Sequence, residues 1–179
     1  MVRTGFLTSC FILSIFLFGC EDKIKPTVLK TINSQDLPQQ ESWNSVITVS
    51  DSGRVNAIIH AGYIRIYEET QQTEMSKGVF VRFFNPQGVQ TSYLTSDEGT
   101  ADENSNNLEA RHNVVVVSND SSRLRTERLF WDNHRQLIYT PEFVDITTAK
   151  EHLQGHGFES DQSLKNYRIY RVTGQAKTN

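Results

Sequence analysis

The sequence contains few cysteines and no excess of positive charge. Its two cysteines are Cys10 and Cys20, so no thiol follows residue 20, and the later chain has neither a disulfide nor a cysteine-based metal or redox site. The formal net charge is −3 at pH 7. A chain without a basic surplus cannot neutralise many phosphates, so nucleic acid is excluded as an expected partner.

A long apolar run is also lacking. The most apolar stretch, from Thr4 to Gly19, is too short to span a bilayer comfortably. It follows a short basic start at Arg3 and ends in a small residue, as secretory signals do. A cysteine directly after that small residue resembles the bacterial lipobox, which predicts cleavage before Cys20 and lipidation of Cys20. An uncleaved N-terminal anchor helix is the alternative. Both interpretations place the later chain outside the cytoplasm, held to a membrane.

The chain after the predicted cleavage site is long enough for one domain with a substantial core. Residues 21–42 include two prolines, several glutamines and serines, and charged side chains without a sustained apolar period, which indicates a flexible tether. The pattern changes at Trp43. We therefore expect a lipoprotein signal peptide at residues 1–19, a lipidated N-terminus and tether at 20–42, and a single domain at 43–179.

From Trp43 onward, short runs of β-branched and aromatic residues alternate with Gly, Asn, Asp and Pro. Such runs are typical of an antiparallel all-β domain. No later stretch keeps an apolar period of 3.6 residues over three turns, so at most a single helical turn is expected, at residues 150–154. The predicted strands are residues 46–49, 55–67, 79–84, 89–94, 114–117, 124–131, 137–139, 143–147 and 167–172.

A repeat of about thirty residues underlies these runs. A unit of this length has room for two strands and two turns. Because a single hairpin cannot bury its apolar face alone, stacked hairpins with a continuous core are expected. The repeated positions are Leu94, Leu124 and Leu153, which are 30 and 29 residues apart, and the equally spaced Asp102, Asp132 and Asp161, each followed by a leucine at Leu108, Leu137 or Leu164.

Three blocks of the sequence carry a resemblance to a known family. They are Leu124-Arg-Thr-Glu-Arg-Leu129-Phe-Trp131-Asp132, Val144-Asp-Ile146 and Gly155-His-Gly157-Phe158-Glu-Ser-Asp161. Together they resemble the LptC family, especially its lipoprotein-like members. That family supplies the periplasmic component that lipopolysaccharide meets as it leaves the inner-membrane ABC transporter. The similarity extends roughly from Val46 to Gly174.

This resemblance implies an antiparallel open β-jelly roll with an apolar interior, and lipopolysaccharide as a partner. It also implies contacts with the inner-membrane ABC transporter complex and with a sister β-jelly-roll protein, joined edge to edge into a bridge across the periplasm. Many family members keep an uncleaved transmembrane helix. This chain is instead expected to be held at the periplasmic side of the inner membrane through a lipid on Cys20.

One face of a curved open sheet can form an apolar groove for acyl chains, because successive side chains of a strand point to opposite faces. The alternative is that the residues of this face are ordinary core residues that touch no ligand. An error of one residue in phase would select the opposite face. The candidate lipid-binding residues are Ile64, Ile66, Val79, Val81, Phe83, Val114, Val116, Leu129, Trp131, Val144, Ile146 and Phe158.

Glycine and histidine patterns near residue 155 are interpreted as structural. Gly155 and Gly157 are spaced for a bulge or a tight bend, and no Gly-x-Gly-x-x-Gly is present to bind a dinucleotide. His152 and His156 would lie about 13 Å apart on a strand, too far to share one metal ion. No metal site and no cofactor are therefore predicted.

The acidic residues Asp97, Glu98, Asp102 and Glu103 are interpreted as a solvated turn between strands, and no catalytic residue is predicted. A glycan hydrolase that uses Asp102 or Glu103 remains a third hypothesis. The main hypothesis is a protein that receives lipopolysaccharide at the inner membrane and passes it along a bridge. The second is a β-rich envelope lipoprotein that serves as a scaffold or binding module without lipid transfer.

Overall fold

The structure, a computed structural model, describes residues 37–177. This part of the chain consists of strands and turns, and all strand pairs are antiparallel. The all-β antiparallel fold expected from the sequence is thereby confirmed. The strands are β1 (Gln40–Asp51), β2 (Arg54–Tyr67), β3 (Gln72–Phe84), β4 (Gln90–Ser96), β5 (Glu98–Asp102), β6 (Asn107–Ser118), β7 (Arg123–Asp132), β8 (Leu137–Thr147), β9 (Glu151–Asp161) and β10 (Tyr167–Lys177).

Three boundaries differ from the expectation. β1 begins at Gln40, so residues 40–42 belong to the first strand and not to the tether. The expected helical turn at residues 150–154 is wrong, because β9 begins at Glu151 and pairs with both β8 and β10. The acidic stretch after Asp97 is not simply a turn, because it includes β5. β5 pairs with β3 on one side and with β6 on the other, and this pairing overrides its weak strand propensity.

The strands form a single sheet in the order β1-β2-β3-β4-β6-β7-β8-β9-β10. β4 and β5 share one position between β3 and β6, because β4 pairs with residues 79–84 of β3 and β5 pairs with residues 72–75. The break between them is at Asp97. Its N–H donates to the His112 carbonyl (3.1 Å), and its carbonyl accepts from the Gly78 N–H (3.2 Å). Backbone pairing thus continues across the break.

The thirty-residue repeat follows from the register of this sheet. One row of directly paired residues crosses eight strands and is apolar throughout, which places the three repeated leucines on the same face. The row is Ile47, Ile59, Val81, Leu94, Val116, Leu124, Ile146 and Leu153.

The repeated aspartates have a common structural role. Asp102, Asp132 and Asp161 end β5, β7 and β9, and each carboxylate accepts a backbone N–H from the turn that follows. Short polar side chains that bind their own backbone in this way favour tight turns. The repeat therefore marks turns as well as core positions, and the expected architecture of repeated hairpins is confirmed.

A line of irregularities crosses the sheet near the middle of its strands. Register shifts fall in β2, β6, β7 and β8, and each leaves residues without a direct partner. Such bulges bend a strand and increase its twist. We call this line the bend. The residues with positive φ at the bend are Lys77, Gly78, His112, Asn113 and Gly157.

The two glycines singled out in the sequence lie at the bend. Gly157 has a φ of +75° and sits against the Tyr170 side chain. A Cβ on Gly155 would lie 2.3 Å from the Arg171 carbonyl oxygen, a distance that no real Cβ adopts. Both positions therefore require glycine, for different reasons: a left-handed backbone at Gly157 and a close approach of β10 at Gly155.

Contacts between opposite ends of strands show that the sheet folds over at the bend. Tyr167 pairs with Ser160, which is nine residues from Glu151 along β9, or about 30 Å in a straight strand. The Tyr167 hydroxyl nevertheless donates to the Glu151 carboxylate at 2.7 Å. Phe83 and Trp131 lie near the C-terminal ends of β3 and β7, which run in opposite directions and so place the two residues at opposite ends of the sheet. Their ring centroids are nevertheless 5.7 Å apart. The sheet thus forms two layers packed inner face to inner face.

We call the two halves of the folded sheet the first and the second layer, and the line where they meet opposite the bend the mouth. The first layer ends in the turns at residues 52–53, 85–89, 119–122 and 148–150. The second layer ends in the turns at residues 68–71, 103–106, 133–136 and 162–166. The mouth is the line, opposite the bend, along which the two sets of turns approach each other. It is bridged at the contacts of Phe83 with Trp131 and of Glu151 with Tyr167.

Candidate functional site

The space between the two layers is the main candidate site. Eleven of the twelve residues proposed as groove-lining are at most 5% exposed, and Ile66 is partly buried against the same cluster. They all belong to the inner face, so the phase chosen from the sequence agrees with the burial pattern. Whether these residues touch a lipid is a separate question.

Sequence reasoning missed several residues that lie in the same core. Ile59, Leu124 and Ile138 are at most 2% exposed. Leu94 and Leu124 belong to the repeat but not to the predicted site, although their spacing in the repeat is the signal that places them on the inner face. Leu164 is buried from within a turn, and no strand periodicity could indicate that.

Side chains of both layers fill the interior of the described domain. An apolar cavity of about 30 Å³ lies between the layers, and Val81 and Phe83 of the first layer face Leu129 and Trp131 of the second across it. A volume of about one water molecule is too small for an acyl chain. Any lipid that enters must therefore separate the layers along the mouth.

Hydroxyl side chains lie on the inner face near the mouth. In the first layer, Ser92 pairs with both Phe83 and Ser118 in the strand register, and in the second layer Ser160 pairs with Ile138 and Tyr167. Ser92 and Ser160 are each 1% exposed, and their hydroxyl oxygens have no hydrogen-bond partner in the structure. A buried hydroxyl without a partner is unfavourable. The inner face is thus apolar in its depth and carries unused hydrogen-bonding groups near its rim.

The two end strands of the sheet provide a second candidate site. Among the described residues, β1 and β10 each pair with one neighbour, which leaves twelve and eleven residues with an open edge. Trp43 and Val46 of β1 and Tyr170 and Val172 of β10 are each more than half exposed. Long edges of this kind are templates for pairing with another strand. The fold therefore offers two attachment points, one at each end of the sheet.

The acidic residues considered for glycan hydrolysis are each engaged separately. Asp97 accepts a hydrogen bond from the Asn113 amide at 2.6 Å, and Glu103 accepts one from the Thr73 hydroxyl at 2.9 Å. Asp102 accepts from the Ser105 N–H and hydroxyl, and these two hydrogen bonds lower the pKa of its carboxyl. Such contacts stabilise turns and strand ends.

The histidines of β9 have different neighbours. His152 lies 3.0 Å from the Asp145 carboxylate, while His156 packs edge-on against Phe143. Within residues 37–177 no three His, Cys, Asp or Glu side chains are grouped so that they could hold a metal ion. Helices long and apolar enough to cross a membrane are also absent from this range. Cys20, the proposed lipid-anchor site, lies outside the described residues.

An apolar interior, a polar rim and, within residues 37–177, two end strands that each pair with a single neighbour define the class of the fold as an open β-jelly roll built from one folded sheet. Comparison with known families agrees with this class. The chain matches the LptC family, described as lipopolysaccharide-assembly, LptC-related, over residues 10–177. Because the match covers nearly the whole chain, the protein belongs to the LptC family. No match was found among curated proteins.

Family membership gives the protein a role in lipopolysaccharide transport. The family consists of periplasmic proteins that are associated with the inner membrane, and it is one of transport and bridge proteins. The inner face and the free edges are the parts of the described chain whose chemistry suits that role.

Proposed function

We propose that this protein receives lipopolysaccharide from the inner-membrane ABC transporter and passes it, through its interior, along a β-jelly-roll bridge toward the outer membrane. The observation that carries this proposal is the inner face, which is apolar in its depth and bears hydroxyls near the mouth. Acyl chains would occupy the apolar depth, while sugars and phosphates stay in water at the mouth. Burial of an acyl chain contributes about 25 cal/mol per Å² and requires no catalytic group.

The free edges suit the partners that this function requires. A transporter strand can extend the sheet at one end, and a strand of a sister β-jelly-roll protein can extend it at the other, each by β-augmentation. Because β1 and β10 are the two ends of one continuous sheet, partners added there would keep the inner faces in line. A lipid on Cys20, followed by the tether before Gln40, would hold the domain near its source.

A scaffold without lipid transfer is the second candidate, and the dense interior favours it. Side chains that leave a cavity of only about 30 Å³ are what a purely structural core would show. The two functions differ in whether lipopolysaccharide ever contacts the inner face.

Photo-crosslinking in cells tests this difference. We would replace Trp131, which faces the interior, with benzoylphenylalanine, and use the outer-face residue Tyr139 of the neighbouring strand as the matched aromatic control. The carrier function predicts lipopolysaccharide adducts at position 131 and few or none at 139. Adducts at neither position, in protein that is folded and correctly located, would favour the scaffold. Adducts at 139 alone would show that lipid runs over the outer face.

A further inference from the structure

The turn between β9 and β10 differs from the other three turns of its layer. The turns at residues 68–71, 103–106 and 133–136 have four residues each, which are polar and largely exposed. The turn at 162–166 has five residues, and its middle residue, Leu164, is 1% exposed and belongs to the hydrophobic core. The repeat is therefore broken at its last turn by a leucine that reaches into the interior.

Leu164 adopts a backbone conformation that apolar residues rarely use. Its φ is +57°, in the left-handed region, where a bulky side chain is uncommon and unfavourable. A residue persists in such a conformation only when its surroundings impose it. The other described non-glycine residues with positive φ are all polar or charged: Asn44, Ser52, Gln71, Lys77, Asn106, His112, Asn113, Ser121 and Gln136.

Asp161 imposes this conformation on the turn. Its carboxylate accepts hydrogen bonds from the Ser163 N–H and hydroxyl, the Lys165 N–H and the Asn166 amide, at 2.6–3.2 Å. The Leu164 N–H donates to the Asp161 carbonyl at 3.2 Å. The turn is thus a preformed unit that could move as a whole and carry Leu164 with it.

This turn lies across the mouth from the first layer. Leu164, Lys165 and Tyr167 line one side of an open cleft of about 700 Å³, and Asp120, Lys150 and Glu151 line the other. The Tyr167–Glu151 hydrogen bond of 2.7 Å joins the two sides. Leu164 therefore fills the interior at the mouth, close to the open edge of β10.

We propose that the turn at residues 162–166 is a clasp that closes the β10 end of the mouth when the interior is empty, with Leu164 in the place that an acyl chain takes on loading. This inference rests on the proposed lipid-carrying function and adds to it the position at which the layers open. When the turn moves outward as a unit, Leu164 leaves the core, and the entering chain replaces the apolar contacts that Leu164 gives up.

The test measures entry of an acyl chain independently of lipopolysaccharide. The full chain is placed in lipid nanodiscs in a Trp43→Phe background, which leaves Trp131 as the remaining tryptophan. Energy transfer from Trp131 to an added polyene fatty acid reports arrival in the interior. We expect Leu164→Asn to accelerate entry about tenfold or more, because burial of one leucine side chain shifts the equilibrium between the open and closed states toward the closed state by about tenfold or more. Asparagine tolerates the left-handed backbone, so the turn itself is kept.

Two further variants make the result specific. Tyr167→Phe removes the hydroxyl bound to Glu151 while keeping the ring, and should accelerate entry by a smaller factor. Gln136→Asn makes the same kind of change at another left-handed residue, in the neighbouring turn at residues 133–136, where the side chain is exposed and lies outside the core, and it should leave the entry rate unchanged. Wild-type entry rates in both Leu164→Asn and Tyr167→Phe would overturn the clasp, as would equal acceleration by Gln136→Asn. Fatty-acid entry that depends on Leu164, without lipopolysaccharide adducts at position 131, would support the clasp and contradict the proposed function.

Discussion

Gly155→Ala should be the most damaging small substitution in the β9–β10 hairpin. The added methyl carbon would lie 2.3 Å from the Arg171 carbonyl oxygen and 2.5 Å from the Ile169 Cγ2 atom. Because one of these contacts is to the backbone of β10, relief requires that strand to move by about 1 Å. Overpacking of this kind costs about 1–3 kcal/mol. For a domain of this size, that corresponds to a loss of roughly 3–10 °C in melting temperature.

Gly174→Ala is the matched control. Gly174 lies in the same hairpin, but a Cβ there would approach only the flexible end of Gln154, at 3.2 Å. The substitution also reduces the entropy of the unfolded chain, so it should be neutral or stabilising by up to about 1 kcal/mol. Melting followed by circular dichroism, together with urea unfolding, measures both variants against the wild type.

The strands that lose hydrogen-exchange protection also test this prediction. Hydrogen exchange should show lost protection in β9 and β10 for Gly155→Ala, with β2 and β3 unchanged, because the clash lies between the last two strands. If β10 forms a free edge for a partner, binding of that partner should weaken in the same variant. A Gly155→Ala protein as stable as Gly174→Ala would refute the close approach of β10 to Gly155.

Two other perturbations give separate checks. Burial raises the pKa of Asp161, but hydrogen bonds from Ser163, Asn166 and Lys165 outweigh burial and leave the pKa below its ordinary value. The contribution of Asp161 to stability is therefore present above the unfolded-state pKa of about 4 and is lost as the pH falls through the folded-state pKa. In urea unfolding, Asp161→Asn should have a lower free energy of unfolding than the wild type at pH 7, and this difference should shrink below about pH 4. A deficit independent of pH would contradict this. Cys20→Ser should release the domain from the membrane in fractionation while its circular dichroism stays unchanged; an uncleaved, membrane-bound product would instead support an anchor helix.

The strands and the inner face were predictable because alternation is a local property. In the runs around Leu129–Trp131 and Val144–Ile146, one side chain in two is apolar, and burial of one face of a sheet requires that pattern. The spacing of Leu94, Leu124 and Leu153 also contained the pairing register, since equal hairpins bring equal positions into one row. These signals need no knowledge of distant contacts.

The bend and the closure of the mouth were not predictable in this way. At Lys77 and His112 the chain adopts left-handed conformations without glycine, so composition gave no signal. β5 has acidic residues at both ends and is a strand because β3 and β6 lie on either side of it. Leu164 follows Asp161 by only three residues, whereas Leu108 and Leu137 follow their aspartates by six and five, so it lies in the turn, and from there its side chain is buried in the core. All three depend on tertiary contacts that override local preference.

The filled interior has an energetic consequence for a carrier. Phe83 and Trp131 are buried against each other in the structure, so loading would not gain their burial a second time. The favourable free energy of lipid binding would come from burial of the acyl chains alone. It would be reduced by the cost of separating the layers and releasing Leu164. A carrier that collapses on itself when empty therefore binds its lipid less tightly than a preformed groove of equal area would. A moderate affinity would suit the proposed hand-off of lipid, because each lipid would have to be released to the next protein of the bridge.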